Sequence, residues 1–187
     1  MSAADVSRVH QGLVIVDGLA TGRRSEVRRQ LSDYVAATRV ELNWLPPDGP
    51  EQLPEALVRE LEDPARVYPA PGSVFLAFQG AVAIGCVGLR PVDELTGEIR
   101  RLFVQPQHRL GGAAGALMDA AHQRAMATGM TRLVLTVAPA REVALSWYKR
   151  LGYIESGTQA AESMSLVSLV RVIAGVEGSD PGSPEPG

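Results

Sequence analysis

The sequence predicts one domain of mixed α/β architecture, an α+β mixed sheet with helices packed on it, and three observations carry the prediction. Short apolar runs rich in Val, Ile and Leu alternate along the chain with segments whose apolar residues recur at helical spacing. At 187 residues there is room for one substantial core, and two full domains would be cramped. Hydrophobic residues make up 45% and charged residues 21%, a globular balance that excludes disorder of the whole chain.

Each element follows from local pattern. Residues 1–11 are polar and mixed and read as a flexible N-terminal arm; the domain is expected over 12–174. LVIVDG, from Leu13, reads as a first strand ending in a turn. Val27, Leu31, Tyr34, Val35 and Thr38 have helical spacing, with Ser25 as the expected cap and an end before Trp44. LPPDGPEQLP breaks regular structure, and a short helix from Glu55 to about Asp63 follows. SVFLAF and AVAIGCVGLRP, separated by Gln79-Gly80, form an antiparallel hairpin. After a turn from Asp93 to Gly97 comes a strand from Glu98 to Val104. A helix with Leu117, Met118, Ala121 and Ala125 along its buried side is closed by Gly129. TRLVLTV is the next strand, a helix from about Glu142 to Leu151 stops at Gly152, and Tyr153 opens a final strand region that includes SLVSLVRV. Residues 175–187, GVEGSDPGSPEPG, bury too little apolar area to offset chain entropy and read as a disordered tail.

Charge and rare residues exclude several functions. A formal net charge of −3 and a pI near 5.6 give no general attraction to nucleic acid or to an anionic membrane. Arg100, Arg101 and Arg109 therefore read as a local ligand patch for a small anion. Cys86 has no partner for a disulfide and reads as a buried thiol in a reducing compartment. His10, His108 and His122 are scattered without ligand spacing, so no metal is expected. The N-terminus has no signal-peptide pattern and no apolar run is long enough to span a bilayer, which makes the cytoplasm the default location.

The most informative stretch is EIRRLFVQPQHRLGGAAGALMDAA, Glu98 to Ala121. A strand passes through a basic loop and closely spaced glycines directly into a helix, an order that aims unpaired helix N-terminal amides at an anion. The loop lacks the lysine and hydroxyl of GxxxxGK[ST] and the spacing of GxGxxG, so neither an ATPase nor a dinucleotide enzyme is favoured.

Leu102-Phe103-Val104-x-Pro106-x-x-Arg109-x-x-Gly112-x-Ala114-x-x-Leu117 resembles the acetyl-coenzyme A signature of the GNAT superfamily, the N-acetyltransferases related to the general-control histone acetyltransferase. AREVALSWYKRLGYIE resembles that family's second segment through Ala144, Trp147-Tyr148 and Gly152-Tyr153. The resemblance implies the GNAT acyl-CoA N-acyltransferase fold, a largely antiparallel sheet flanked by helices whose central strands splay to admit the pantetheine arm. It also implies acetyl-coenzyme A as cosubstrate, held by Leu102, Phe103, Val104, Arg109, Leu110, Gly111, Gly112, Ala113, Ala114, Gly115, Arg141 and Tyr148. The diphosphate falls to Arg109 and the amides from Leu110 to Gly115.

Chemistry proposes the remaining roles. Thioester aminolysis needs a neutral amine, a donor for the oxyanion and a proton for the leaving thiolate. Tyr148 is the acid candidate, beside the sulfur by resemblance, and the Val104 N–H is the oxyanion donor that the family's use of main-chain groups implies. Glu98 is the base candidate, directly or through water, or else a solvated edge residue. Strand alternation is expected to set Glu98, Arg100, Leu102 and Val104 on one face. An arginine neighbour would weaken Glu98 as a base. His108 is expected to be exposed, Trp147 to wall the slot or join the core, and Cys86 to pack.

Three positions depart from the family's pattern: Leu110 replaces a common glycine, Gly115 a common basic residue and Arg141 a common asparagine. The expected reaction is acetyl transfer from acetyl-coenzyme A directly to a primary amine, a small molecule before a protein lysine or N-terminus. The alternative is an acyl-coenzyme A-binding sensor or interaction module with little catalysis. Homodimers are common in the family, and no segment here marks a self-complementary face.

Overall fold

The computed structural model describes residues 12–41, 54–161 and 164–173. The expected N-terminal arm, the LPPDGPEQL breaker with Trp44, His10 and the expected C-terminal tail lie outside the described residues. Seven strands form one sheet: β1 (Leu13–Asp17), β2 (Ser73–Gln79), β3 (Val82–Pro91), β4 (Thr96–Val104), β5 (Arg132–Val137), β6 (Ile154–Ala161) and β7 (Met164–Val172). The helices are α1 (Arg24–Glu41), α2 (Glu55–Glu62), α3 (Pro64–Val67), α4 (Ala113–Ala127) and α5 (Glu142–Arg150). Among the described residues no helix is long and apolar enough to cross a membrane.

Sheet order is β1-β2-β3-β4-β5-β7-β6, and every neighbouring pair is antiparallel except β4 with β5, which α4 connects. A parallel pair needs such a crossover, because no tight turn returns the chain to the same end. Six of the seven β2 residues are buried, as expected of a strand covered on both faces. Val74, Leu76 and Phe78 pack with Val27 and Leu31 of α1, while Phe75 and Ala77 pack under Leu117, Met118 and Ala121 of α4. The four α4 residues expected on the core side, Leu117, Met118, Ala121 and Ala125, are all buried.

Two features open the centre of the sheet. The strands β4 and β5 pair only at Thr96↔Arg132, Gly97↔Leu133 and Glu98↔Val134 and then diverge, while β4 stays on β3 and β5 stays on β7. This is the splay that the family resemblance implies. Between Gly88↔Arg100 and Cys86↔Phe103, β4 also carries one more residue than β3, a bulge with Arg101 at φ 53°. Bulged strands bend and change the face of everything that follows.

That bulge corrects the expected alternation. Leu102 and Val104 join Ile99 in the core under α4, whereas Phe103 packs with α1, and Arg100 and Arg101 both reach Glu60 of α2. Two smaller corrections are local. Ser25 lies inside α1 rather than capping it, its hydroxyl on the Glu26 carboxylate at 2.7 Å. The strand β4 begins at Thr96 because Val92 and Asp93 both donate to the Thr96 carbonyl and pairing continues through Pro91↔Gly97.

Candidate active site

The loop between β4 and α4 leaves a run of main-chain donors without main-chain acceptors among the described residues. After a single turn at Pro106–His108, the Arg109 N–H donates to the Pro106 carbonyl at 3.3 Å; the next amide that finds a main-chain acceptor is Ala116, on Gly112 at 3.0 Å. The amides of Leu110, Gly111, Gly112, Ala113, Ala114 and Gly115 thus have no main-chain partner among the described residues. Gly112 makes the turn into α4 at φ 82°, and an added Cβ at Gly112 or Gly115 would meet no protein atom within 4 Å. The space over these amides is therefore open, and a helix N-terminus so arranged favours an anion. Leu110 adopts φ 66° with its side chain fully in solvent.

Arg109 stands at the edge of this loop. Its Nε donates to the Val104 carbonyl at 3.2 Å and its Nη2 pairs with Glu41 Oε1 at 3.2 Å. Because the Gln105 N–H is directed to Ile84 of β3, alternation turns both the Val104 carbonyl and the Val104 N–H toward the open β5 side.

The splay between β4 and β5 widens into a cleft of about 500 Å³ lined by β4 from Glu98 to Leu102, β5 and its extension from Leu135 to Ala138, and residues of α1, α2 and α5. Tyr148 lines this cleft, packed edge-on against Tyr153 at 5.8 Å between ring centroids. Burial, and next the nearby Tyr34 phenol, push the Tyr148 hydroxyl well above the usual phenol range, Arg141 opposing. The phenol therefore stays protonated. Trp147 walls the cleft beside it, its ring 5.2 Å from that of Tyr148. His108 is half-buried rather than exposed. Cys86 is fully buried, its thiol on the Arg101 carbonyl at 3.4 Å, and burial pushes its pKa up, as suits a packing residue.

Glu98 occupies the last paired position of β4 with β5 and lines the cleft. Its Oε2 receives Arg90 Nε at 2.8 Å, with Arg100 Nη1 at 3.9 Å. Arg141, at the start of α5, turns toward α1: its Nη2 bonds Thr38 Oγ1 at 2.9 Å and Glu41 Oε2 at 2.8 Å. Phe103 faces the α1 core, edge-on to Tyr34 at 6.4 Å, so what it offers a ligand in the splay is its main chain.

The expected ligand patch of Arg100, Arg101 and Arg109 separates. Arg101 forms a fork with buried Glu60, Nε on Oε1 at 3.0 Å and Nη2 on Oε2 at 2.8 Å, and Arg100 reaches the same carboxylate at 3.5 Å. Tyr68 donates its hydroxyl to Glu60; its ring packs against β3 at Gly88, where an added Cβ would collide with it. Burial disfavours the Glu60 charge, but the hydrogen bonds and charge of Arg101, then Arg100 and Tyr68, outweigh it and hold Glu60 below the usual carboxylate range. Only Arg109 of the three stands at the glycine-rich loop.

Sequence reasoning missed Tyr34, Arg39, Glu41 and Glu60. Tyr34 lines the cleft with its ring under the Arg101 and Arg141 guanidiniums at 5.3 and 5.9 Å. Burial alone would raise its pKa, yet the charges of Arg101 and Arg141 win and lower it. No local motif marks these residues; a buried acid inside the amphipathic α2 was the one available signal. Among the described residues, no group of His, Cys, Asp or Glu is placed to hold a metal ion.

Comparison with known proteins places this geometry. Residues 40–153 match the model of the acetyltransferase (GNAT) family. No curated protein sequence matches the chain. Among solved structures, an acetyltransferase from Streptococcus agalactiae 2603 superposes with TM-score 0.70 at 16% identity, over 88% of this chain and 100% of the other. Ard1 from Thermoplasma volcanium gives 0.63 at 17% identity, over 87% and 99%. A GNAT family acetyltransferase from Elizabethkingia anophelis, solved with acetyl-CoA bound, gives 0.54 at 19% identity, over 68% and 92%.

Proposed function

We infer, from the premise that this chain belongs to the acetyltransferase (GNAT) family, that it transfers an acetyl group from acetyl-coenzyme A directly to a primary amine, a small molecule before a protein lysine or N-terminus. The observation that carries the reading is the row of unpartnered amides from Leu110 to Gly115 beside the splay of β4 and β5. A diphosphate suits that loop, and the narrow opening suits a pantetheine arm.

Bound there, acetyl-coenzyme A supplies a thioester whose acyl carbon is open to a neutral amine. Arg109 and the loop amides hold the diphosphate, and main-chain groups of Leu102, Phe103 and Val104 line the arm's path. The Val104 N–H donates to the carbonyl oxygen as negative charge develops there. The Tyr148 hydroxyl gives its proton to the departing sulfur; burial keeps the phenol protonated and available. Glu98 takes the proton of the incoming ammonium, directly or through water, using the oxygen that Arg90 leaves outside their ion pair.

The test is an amine panel assayed for free coenzyme A thiol. Saturable release with at least one amine class is the expected result. The hold of Arg90 on Glu98 favours a second reading, an acyl-coenzyme A sensor, which predicts tight cofactor binding and no release with any amine.

A further inference from the structure

The cleft carries more positive charge than a neutral pantetheine arm needs. Among the described residues its wall holds Arg39, Arg100, Arg101 and Arg141 against one carboxylate, Glu98. Arg101 is matched by Glu60, Arg100 is shared between Glu60 and Glu98, and Arg141 pairs with Glu41, which leaves Arg39 without an ion pair among the described residues. Two donors remain: Arg39 Nη1 and Arg141 Nε are buried with no hydrogen-bond partner among the described residues. A buried N–H left without an acceptor costs about 1–3 kcal/mol, and more on a charged group. Both donors belong to side chains that line the same cleft.

Their position separates them from the diphosphate. No residue between Phe103 and Ala116 lines the cleft; Arg39 and Arg141 share it instead with Ala56 and Leu57 of α2 and Leu166 of β7. Glu41 stands between the two regions, its Oε1 on Arg109 at the loop and its Oε2 on Arg141 at the cleft. Thr38 Oγ1 fixes the Arg141 fork at 2.9 Å, so the unmatched Nε is held rather than swinging in solvent.

We propose that the acceptor carries a carboxylate beside its amine, as an amino acid does, and that Arg39 and Arg141 bind that carboxylate. The proposal rests on the transferase reading and narrows its substrate class. Arg39 Nη1 and Arg141 Nε each supply one charged N–H donor, which a carboxylate oxygen accepts strongly and a protonated amine, having no lone pair, cannot accept. The surrounding cations also disfavour a second positive charge, so the ammonium anchored by its own carboxylate loses its proton more readily and becomes the nucleophile. Polyamines are repelled by the same wall.

Matched acceptors differing by one charge provide the test: free α-amino acids, their C-terminal amides and, as a polycation, spermidine. Thiol release from acetyl-coenzyme A is expected to favour acid over amide by about ten-fold or more in kcat/KM, the least a charge-assisted pair supplies. Arg39→Gln and Arg141→Gln are each expected to bring that ratio toward one, with Arg39→Lys intermediate. Calorimetric titration of the same acids and amides into wild-type protein saturated with coenzyme A is expected to give the same order. Equal treatment of acid and amide, a preference for spermidine, or no binding of any acid overturns the proposal. Selective binding of acids without thiol release keeps the carboxylate site and overturns the transferase reading; release with amides or spermidine alone does the reverse.

Discussion

Arg90 directs its guanidinium to a single oxygen of Glu98, Oε2, with Nε at 2.8 Å, and the 3.9 Å approach of Arg100 falls on the same oxygen. Oε1 lies outside these ion pairs and is the oxygen that the proposed base role would use. Glu98→Gln is expected to lower kcat by roughly 10²-fold, within the range of general base catalysis. An unchanged kcat would assign the proton to solvent.

Tyr148→Phe keeps the ring that packs on Tyr153 and removes only the hydroxyl. A loss of roughly 10²-fold in kcat with unaltered coenzyme A affinity is expected. Retained turnover would take Tyr148 out of the acid role.

Leu110 spends left-handed backbone strain on a side chain that touches nothing. Leu110→Gly is expected to raise stability by about 1 kcal/mol, since a non-glycine residue pays on the order of 1–2 kcal/mol there and glycine recovers most of it despite its greater unfolded-state entropy. The denaturant midpoint measures this, and a lower midpoint would refute the strain argument.

Glu60 neutralises Arg101 at the bulge, where the backbone sits at φ 53°. Glu60→Gln is expected to destabilise the fold by about 3–5 kcal/mol, the usual cost of leaving one partner of a buried pair uncompensated. Equilibrium unfolding in urea checks it; a change below 1 kcal/mol, roughly the worth of an exposed pair, would show that the bulge does not depend on the fork.

Stability should fall on acidification in two stages. Burial, then the Arg171 charge, lower the His122 pKa to about 4, with Tyr153 bonded to its Nε2 at 2.9 Å. The unfolded chain therefore takes this proton first, and stability declines from about pH 6.5, the ordinary histidine value, down to the folded value. Glu60, held low in the folded state, adds a second loss below about pH 4.3, as the unfolded carboxylate is protonated before the folded one. His122→Gln should remove only the first stage in pH-dependent melts; a first stage that persists would place it on another group.

What local pattern encodes was legible in advance. The hairpin of β2 and β3, the buried stripe of α4, the stops at Gly129 and Gly152 and the glycine-rich entry to α4 each depend on residues within a turn or two of one another, so periodicity and backbone preference suffice. The bulge at Arg101 was not legible, because it arises from how β4 registers on β3, and it alone decides that Leu102 and Val104 share a layer with Ile99 rather than with Glu98 and Arg100.

The sequence by itself determined the order of elements, the glycine-rich loop from Arg109 to Gly115 and the family to which those residues point. Tertiary structure decided how the charges pair: Arg101 goes to Glu60, 41 residues away, Glu98 to Arg90 across a hairpin, and Arg141 to Glu41 of α1 at 2.8 Å. Those partners are set by sheet register and helix docking, long-range relations that no local spacing carries.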